Sequence, residues 1–291
     1  ALDFADKLAR FVMKPQFWGG VLDPVLCAGA ERGHVNSHFH ARSASLRGLL
    51  EYGLVAGDPQ ACEFVRSSYE YMRSFAIPET GFIPVFIPFS KAGKPCPPTE
   101  SDLRSYMECC YLGDLVALAV KLSQGGLGEY WEDVDRLVRN QFVEGQFSEK
   151  ALLDRILANS PQRPPGSGFS IRQGGQHKPL EQAPGREYAG DDVLDRALGV
   201  FPGLMGVTSV DFAWSMQCCT SNATTGIYYA WGAITTCQGD DAQVNLFLNR
   251  AAPWLDIDSY LPYEGRVAIR NKTAARISVR IPPWVSRARL E

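Results

Sequence analysis

Long apolar runs are missing from this 291-residue chain. No stretch of about 18 apolar residues occurs, which excludes a membrane-spanning helix. An excess of one charge is missing too. The 29 Lys and Arg stand against 32 Asp and Glu, a net charge of −3. That balance lacks the basic footprint of a protein whose main role is nucleic-acid binding. Eight cysteines are too few for a disulfide scaffold. No positively charged stretch followed by an apolar one opens the sequence, so no signal peptide is visible and the cytoplasm is slightly favoured. No strict internal repeat is found.

What is present suits a packed core. Apolar residues make up 45% and charged residues 21%, which argues against wholesale disorder. At about 150 residues per domain, the length implies roughly two domains. Most of the first 240 residues read as helices joined by Gly- and Pro-containing turns. Leu2 to Met13 is amphipathic, and Ser43 to Val55 places Leu46, Leu49, Leu50 and Leu54 at helical spacing. Asp58-Pro59 reads as an N-cap followed by proline at the first helical position. A helix is expected from near Ser101 to about Ser123, with Cys110 and Asp114 on one stripe, and another from Tyr130 to Gln146. Paired helices without intervening strands suggest an α/α array or toroid rather than a βαβ fold.

Asn159 to Asp192 is rich in Pro and Gly and reads either as a loop over a pocket or as a surface insertion. After Gln238 the pattern turns to period-two alternation in Gln243–Leu248, Arg266–Ile269 and Ala275–Ile281, which favours strands. Asn271 and Lys272 lie between the last two, as expected of a hairpin turn. The boundary therefore falls near residue 240, with about 50 residues of β structure opening a larger sheet domain.

Two cysteine pairs are adjacent in sequence. Glu108-Cys109-Cys110 falls in the expected helix, and Cys218-Cys219 precedes Thr220-Ser221-Asn222, which reads as a helix start. The dipole of that helix favours thiolate over thiol. Three thiolates and a carboxylate suit tetrahedral zinc. The bland alternative is that these cysteines are small buried hydrophobes, as free cysteine often is.

Several blocks resemble the β-L-arabinofuranosidase family, glycoside hydrolase family 127, and its uncharacterised bacterial relatives. They are Glu108-Cys109-Cys110, the run Tyr130 to Asn140, Cys218 to Asn222, and Ser278 to Trp284, in shared order. The resemblance implies an (α/α)6 toroid, here short of some helices, over residues 1–240 and the start of a β-sandwich over 241–291. It implies zinc held by Glu108, Cys110, Cys218 and Cys219, with Cys218 as nucleophile and no role for Cys109. It implies a carbohydrate substrate and retention of anomeric configuration. The acid/base matches least well; Glu100 is the nearest candidate, and an acid at a helix N-terminus is its plain structural reading.

Histidines are few, and three of four cluster: His34, His38 and His40. His34 and His38 share one face if the stretch is helical. The resemblance suggests polar pocket residues that bond sugar hydroxyls; structural histidines and metal ligands are the alternatives. Trp214 is the aromatic candidate for sugar stacking, whereas Trp131 and Trp231 read as core. Three functions remain in play. One is a zinc-thiolate retaining glycosidase. Another is a non-catalytic carbohydrate-binding relative with a structural zinc. The last is a metal-free toroid hydrolase or lyase using Glu100 or Asp102.

Overall fold

The computed structural model describes residues 2–18, 30–34, 38–84, 107–151, 155, 195, 198–201, 203–205, 210–211 and 217–291. They belong to two compact units, one formed by Ala1–Gly145 with Phe201–Glu291 and one by Gln146–Val200. The first is mainly helical with three small sheets among the described residues. In the second, Phe147 and Gly199–Val200 are tied by backbone bonds of 2.7 and 2.9 Å, and Lys150 pairs with Asp195 at 3.1 Å. The Asn159–Asp192 segment lies outside the described residues. Among the described residues, no helix is long and apolar enough to cross a membrane.

The first unit opens with α1 (Leu2–Val12), α2 (Pro15–Trp18) and a 3-10 turn (Ala30–Arg32). The helices α3 (Phe39–Ala56) and α4 (Pro59–Arg73) follow as a hairpin. The turn between them is fixed by chemistry the sequence displays. Gly57 ends α3 in the left-handed region, φ 65°, which glycine adopts without a Cβ penalty. Asp58 then caps α4, accepting from the N–H groups of Gln60 and Ala61 at 3.0 and 3.1 Å with Pro59 at the first helical position. Asp58 also meets Arg10 of α1 at 2.8 Å. Asp58→Ala is expected to lower unfolding stability by about 1 kcal/mol, the usual worth of a cap, while Asp58→Asn retains most of it; urea denaturation of both variants checks this.

A two-residue strand, β1 (Met107–Glu108), leads directly into α5 (Cys109–Gln124). The helix expected from near Ser101 therefore starts eight residues later, because Glu108 is extended (φ −94°, ψ 128°) and its backbone joins a sheet. Residues 101–106 lie outside the described residues. Every residue of α5 from Cys109 to Leu122 is buried except Lys121. A helix buried on all sides is a central helix, and α5, with Asp114 as its one buried charged residue, is the core around which the unit is built. Next come α6 (Trp131–Arg136), a π-helical stretch (Leu137–Phe142) and α7 (Val143–Gly145). Trp131, Val134, Leu137 and Phe142 all face the core, as their spacing predicts.

The strands β2 (Leu204–Met205) and β3 (Val210–Asp211) complete an antiparallel sheet with β1, in the order β1-β2-β3. Helix α8 (Gln217–Ala233) packs on α5. Six strands follow: β4 (Thr235–Gln238), β5 (Asp241–Val244), β6 (Arg250–Ala251), β7 (Leu255–Ser259), β8 (Val267–Asn271) and β9 (Arg276–Val279). They form two three-stranded sheets, β4-β5-β9 and β6-β7-β8. The hairpin expected at Asn271-Lys272 does not form. The Asn271 side chain bonds both the N–H and the carbonyl of Ala274, at 3.0 and 2.9 Å, and turns the chain away. Strand β9 then runs parallel to β5, while β8 pairs with β7. Arg280 ties this part to α6 through Glu132 at 2.8 Å. Trp231 is not core: it is half exposed, with the Arg250 guanidinium 3.9 Å from its ring centre.

Candidate metal centre

The site is made by the crossing of α5 and α8. At the crossing both helices carry glycine. A Cβ added to Gly113 would lie 2.1 Å from the backbone oxygen of Asn222, and one added to Gly226 would lie 2.6 Å from Cα of Gly113. The two backbones are thus in direct contact, closer than any side chain permits. This approach brings the first turns of both helices together. Cys110 is the second residue of α5, and Cys218 and Cys219 are the second and third of α8.

Glu108, Cys110, Cys218 and Cys219 converge so that one ligand atom from each lies within 4.8 Å of all the others. Sγ of Cys110 is 3.0 Å from Sγ of Cys219, which is 3.8 Å from Sγ of Cys218 and 3.7 Å from Oε1 of Glu108. Tetrahedral zinc with Zn–S bonds near 2.3 Å needs sulfurs about 3.8 Å apart; the donor set and the Cys218–Cys219 spacing fit such an ion, whereas Cys110 and Cys219 are closer than that and would have to move apart to hold it. Glu108, Cys110 and Cys219 are buried, whereas Cys218 is exposed.

The electrostatics of the cluster are those of a site that could hold a cation. A hydrogen bond to Cys219, then burial, then the Glu108 charge push the Cys110 thiol far above the ordinary thiol range. Burial, then Cys110, push Cys218 up as well. Burial acts to raise Glu108, but the hydrogen bond and charge of His38 outweigh it and hold its carboxyl below the usual value. A divalent cation bound here, with two helix N-termini behind it, would favour the ionised forms of Cys110 and Cys218.

Around the cluster stands a polar shell. His38 contacts Oε2 of Glu108 through Nε2. His40 bonds Asp114 through Nδ1 at 2.9 Å, and its Nε2 is 3.4 Å from the Asn222 amide. Two backbone carbonyls hold the helix starts: Cys109 N–H donates to that of Gly203 at 3.3 Å, and the Thr220 hydroxyl to that of Phe201 at 3.0 Å.

The sequence-level candidates divide accordingly. Glu108, Cys110, Cys218 and Cys219 come together, with His38 against Glu108. His34 and His38 do not share a helical face, because α3 starts only after His38, which occupies its N-cap in an extended conformation. His34 instead stacks flat on Tyr71, ring centres 3.9 Å apart. Cys109 is buried in the core. Glu100, Asp102 and Trp214 lie outside the described residues. Asp114, Ser43, Arg47 and Asn222 join the polar shell with no motif that announces them. The available signal was an acid on the stripe of a buried helix, one turn beyond Cys110.

No protein-family model matches the chain, and no curated protein matches it either. Among solved structures, the chain is similar to a GH127 beta-L-arabinofuranosidase from Geobacillus stearothermophilus T6, with 17% identity and a TM-score of 0.48. That match takes in 96% of this chain, which spans 41% of the solved one.

Proposed function

We propose that this chain is a retaining glycoside hydrolase that uses Cys218, held as a zinc thiolate, as its nucleophile on arabinofuranosides or related glycans. The observation that carries the reading is the convergence of Glu108, Cys110, Cys218 and Cys219. It is the set that the sequence resemblance to glycoside hydrolase family 127 assigns to the metal. The (α/α)6 toroid over 1–240, the opening of a β-sandwich over 241–291, and Glu100 as acid/base belong to the same proposal.

One asymmetry supports catalysis over the alternative of a carbohydrate-binding protein with a structural zinc. Four protein ligands would fill a tetrahedral shell, as they do in structural zinc sites, so catalysis rests on one of those ligands being within reach of substrate. Three ligands here are buried and the fourth, Cys218, is exposed. When bound, zinc would neutralise the cluster and keep its thiols ionised at neutral pH.

The chain's own residues do the rest. Cys218 Sγ attacks the anomeric carbon and forms a thioglycoside bond as the bond to the leaving oxygen breaks. That oxygen takes a proton from the acid, assigned to Glu100. The carboxylate left behind then takes a proton from water, whose oxygen displaces Sγ. Two inversions give net retention. His38 braces the Glu108 carboxylate as an outer-shell partner. His34, His40 and Trp214 are the remaining sugar-binding candidates.

The test is metal analysis of the purified chain together with hydrolysis of aryl β-L-arabinofuranosides, following the first-formed anomer by NMR. One zinc per chain with retained configuration is expected. A zinc-free protein that hydrolyses glycosides contradicts the reading. One zinc with no hydrolysis supports the binding protein instead.

A further inference from the structure

A cleft of about 250 Å³ lies where the end of α4, the segment that follows it and the start of α6 meet Leu115 of α5. Among the described residues, none that lines it is a metal ligand. Leu115 is five residues beyond Cys110, about 7.5 Å along the helix axis. The volume is close to the lower end for ligand pockets, about 300 Å³.

The charged lining is two carboxylates and two guanidiniums: Glu70 and Arg73 from α4, Asp133 and Arg136 from α6. Asp133 is the most enclosed of the four, its side chain at 12% exposure. It accepts from the Tyr69 hydroxyl at 3.0 Å and from Arg73 Nε at 2.8 Å, and both bonds fall on Oδ2. Among the described residues Oδ1 takes no bond. Burial raises the Asp133 carboxyl above its ordinary value although Arg73 pulls the other way, as expected of a carboxylate short of donors.

The partners already in place narrow what can bind. A carboxylate or phosphate is best held by a free guanidinium fork. Arg136 uses Nε on Glu132 and Nη1 on the Pro78 carbonyl. Arg73 gives Nε to Asp133 and turns Nη1 to Glu70. A cation finds both carboxylates already facing Arg73. With charges matched two against two, the open demand is a neutral donor for Oδ1, beside the apolar side chains of Ile83, Leu115 and Leu137. A sugar ring meets both needs, with hydroxyls at its edge and C–H groups on its face. We propose that this cleft is a second carbohydrate site, separate from the metal centre. It takes one neutral monosaccharide, a hydroxyl donating to Asp133 Oδ1 and a C–H face against the three apolar side chains. Naming a sugar rather than another polyol rests on the glycosidase reading above.

The test is methyl NMR of the full chain with labelled isoleucine, Ile83→Val identifying the Ile83 signal, and L-arabinose as the probe. That signal is expected to move saturably with arabinose, while acetate and ethylammonium at the same concentrations leave it in place. Asp133→Asn keeps the shape and loses the charge of the acceptor. It should weaken binding about fivefold, the difference between a charged and a neutral hydrogen bond. Ala76→Trp fills the cleft from a position that belongs to none of its ion pairs, and should abolish the response. If these variants do not fold, the wild-type titration and its two comparison solutes decide. An Ile83 signal that ignores arabinose, that answers acetate or ethylammonium as strongly, or that still shifts in folded Ala76→Trp overturns the assignment. Arabinose bound here by a protein that hydrolyses no glycoside upholds the cleft and overturns the glycosidase reading. Hydrolysis without such binding does the reverse.

Discussion

Cys218→Ala is expected to reduce glycoside hydrolysis by at least about 10,000-fold, as removing a covalent nucleophile does in other hydrolases. Cys218 is the one member of the cluster open to solvent, hence the one a substrate can reach. Cys218→Ser should fare little better, because an alkoxide is a harder state to reach than a thiolate near neutral pH. Cys109→Ala is the internal control. Its thiol is buried in the core and pushed upward by burial, so the variant should retain activity within a few-fold. Steady-state rates of the three variants on one aryl furanoside check this. Equal loss in Cys109→Ala would mean that the activity follows folding rather than the nucleophile.

Among the described glycines, Gly113→Ala is expected to be the most damaging added methyl. The new Cβ would sit 2.1 Å from the Asn222 carbonyl oxygen, with the Gly226 nitrogen at 3.4 Å. These are backbone atoms, so no side chain can rotate away. The helices must separate, and overpacking of this kind costs about 3 kcal/mol or more. Separation also pulls Cys110 from Cys219, now 3.0 Å apart, so metal affinity should fall with stability. Gly232→Ala, in the last turns of α8 with open space around the added methyl, should be neutral or slightly stabilising. Thermal unfolding and zinc titration of the two variants give the comparison.

How much of this was legible beforehand follows from what carries each feature. The cap at Asp58, the amphipathic helices and the apolar face of α6 are local, and residues within one or two turns determine them. The start of α5 is not marked in the sequence because the helical spacing of Leu103, Tyr106, Met107 and Cys110 runs across it, while the strand that extends Met107 and Glu108, Leu204–Met205, is far off in sequence. The pairing of β9 with β5 was invisible for the same reason: period-two alternation marks a strand but names no neighbour. The convergence of Glu108, Cys110, Cys218 and Cys219 is expected from the motif resemblance alone; by residue type the cysteines read as small hydrophobes. The glycine crossing at Gly113 and Gly226 is a contact between distant segments, and a glycine inside a helix pattern does not say what it approaches.

The central claim is that one metal-held thiol, Cys218, attacks the sugar. The measurement that tests it most directly is a cysteine-reactive furanoside inactivator applied to the full chain, with zinc counted before reaction and the adduct mapped by peptide mass spectrometry. One zinc per chain and a single sugar adduct on Cys218, lost when the metal is chelated first, is the predicted result. An adduct on any other cysteine, or labelling of Cys218 at the same rate after the metal is removed, would contradict it.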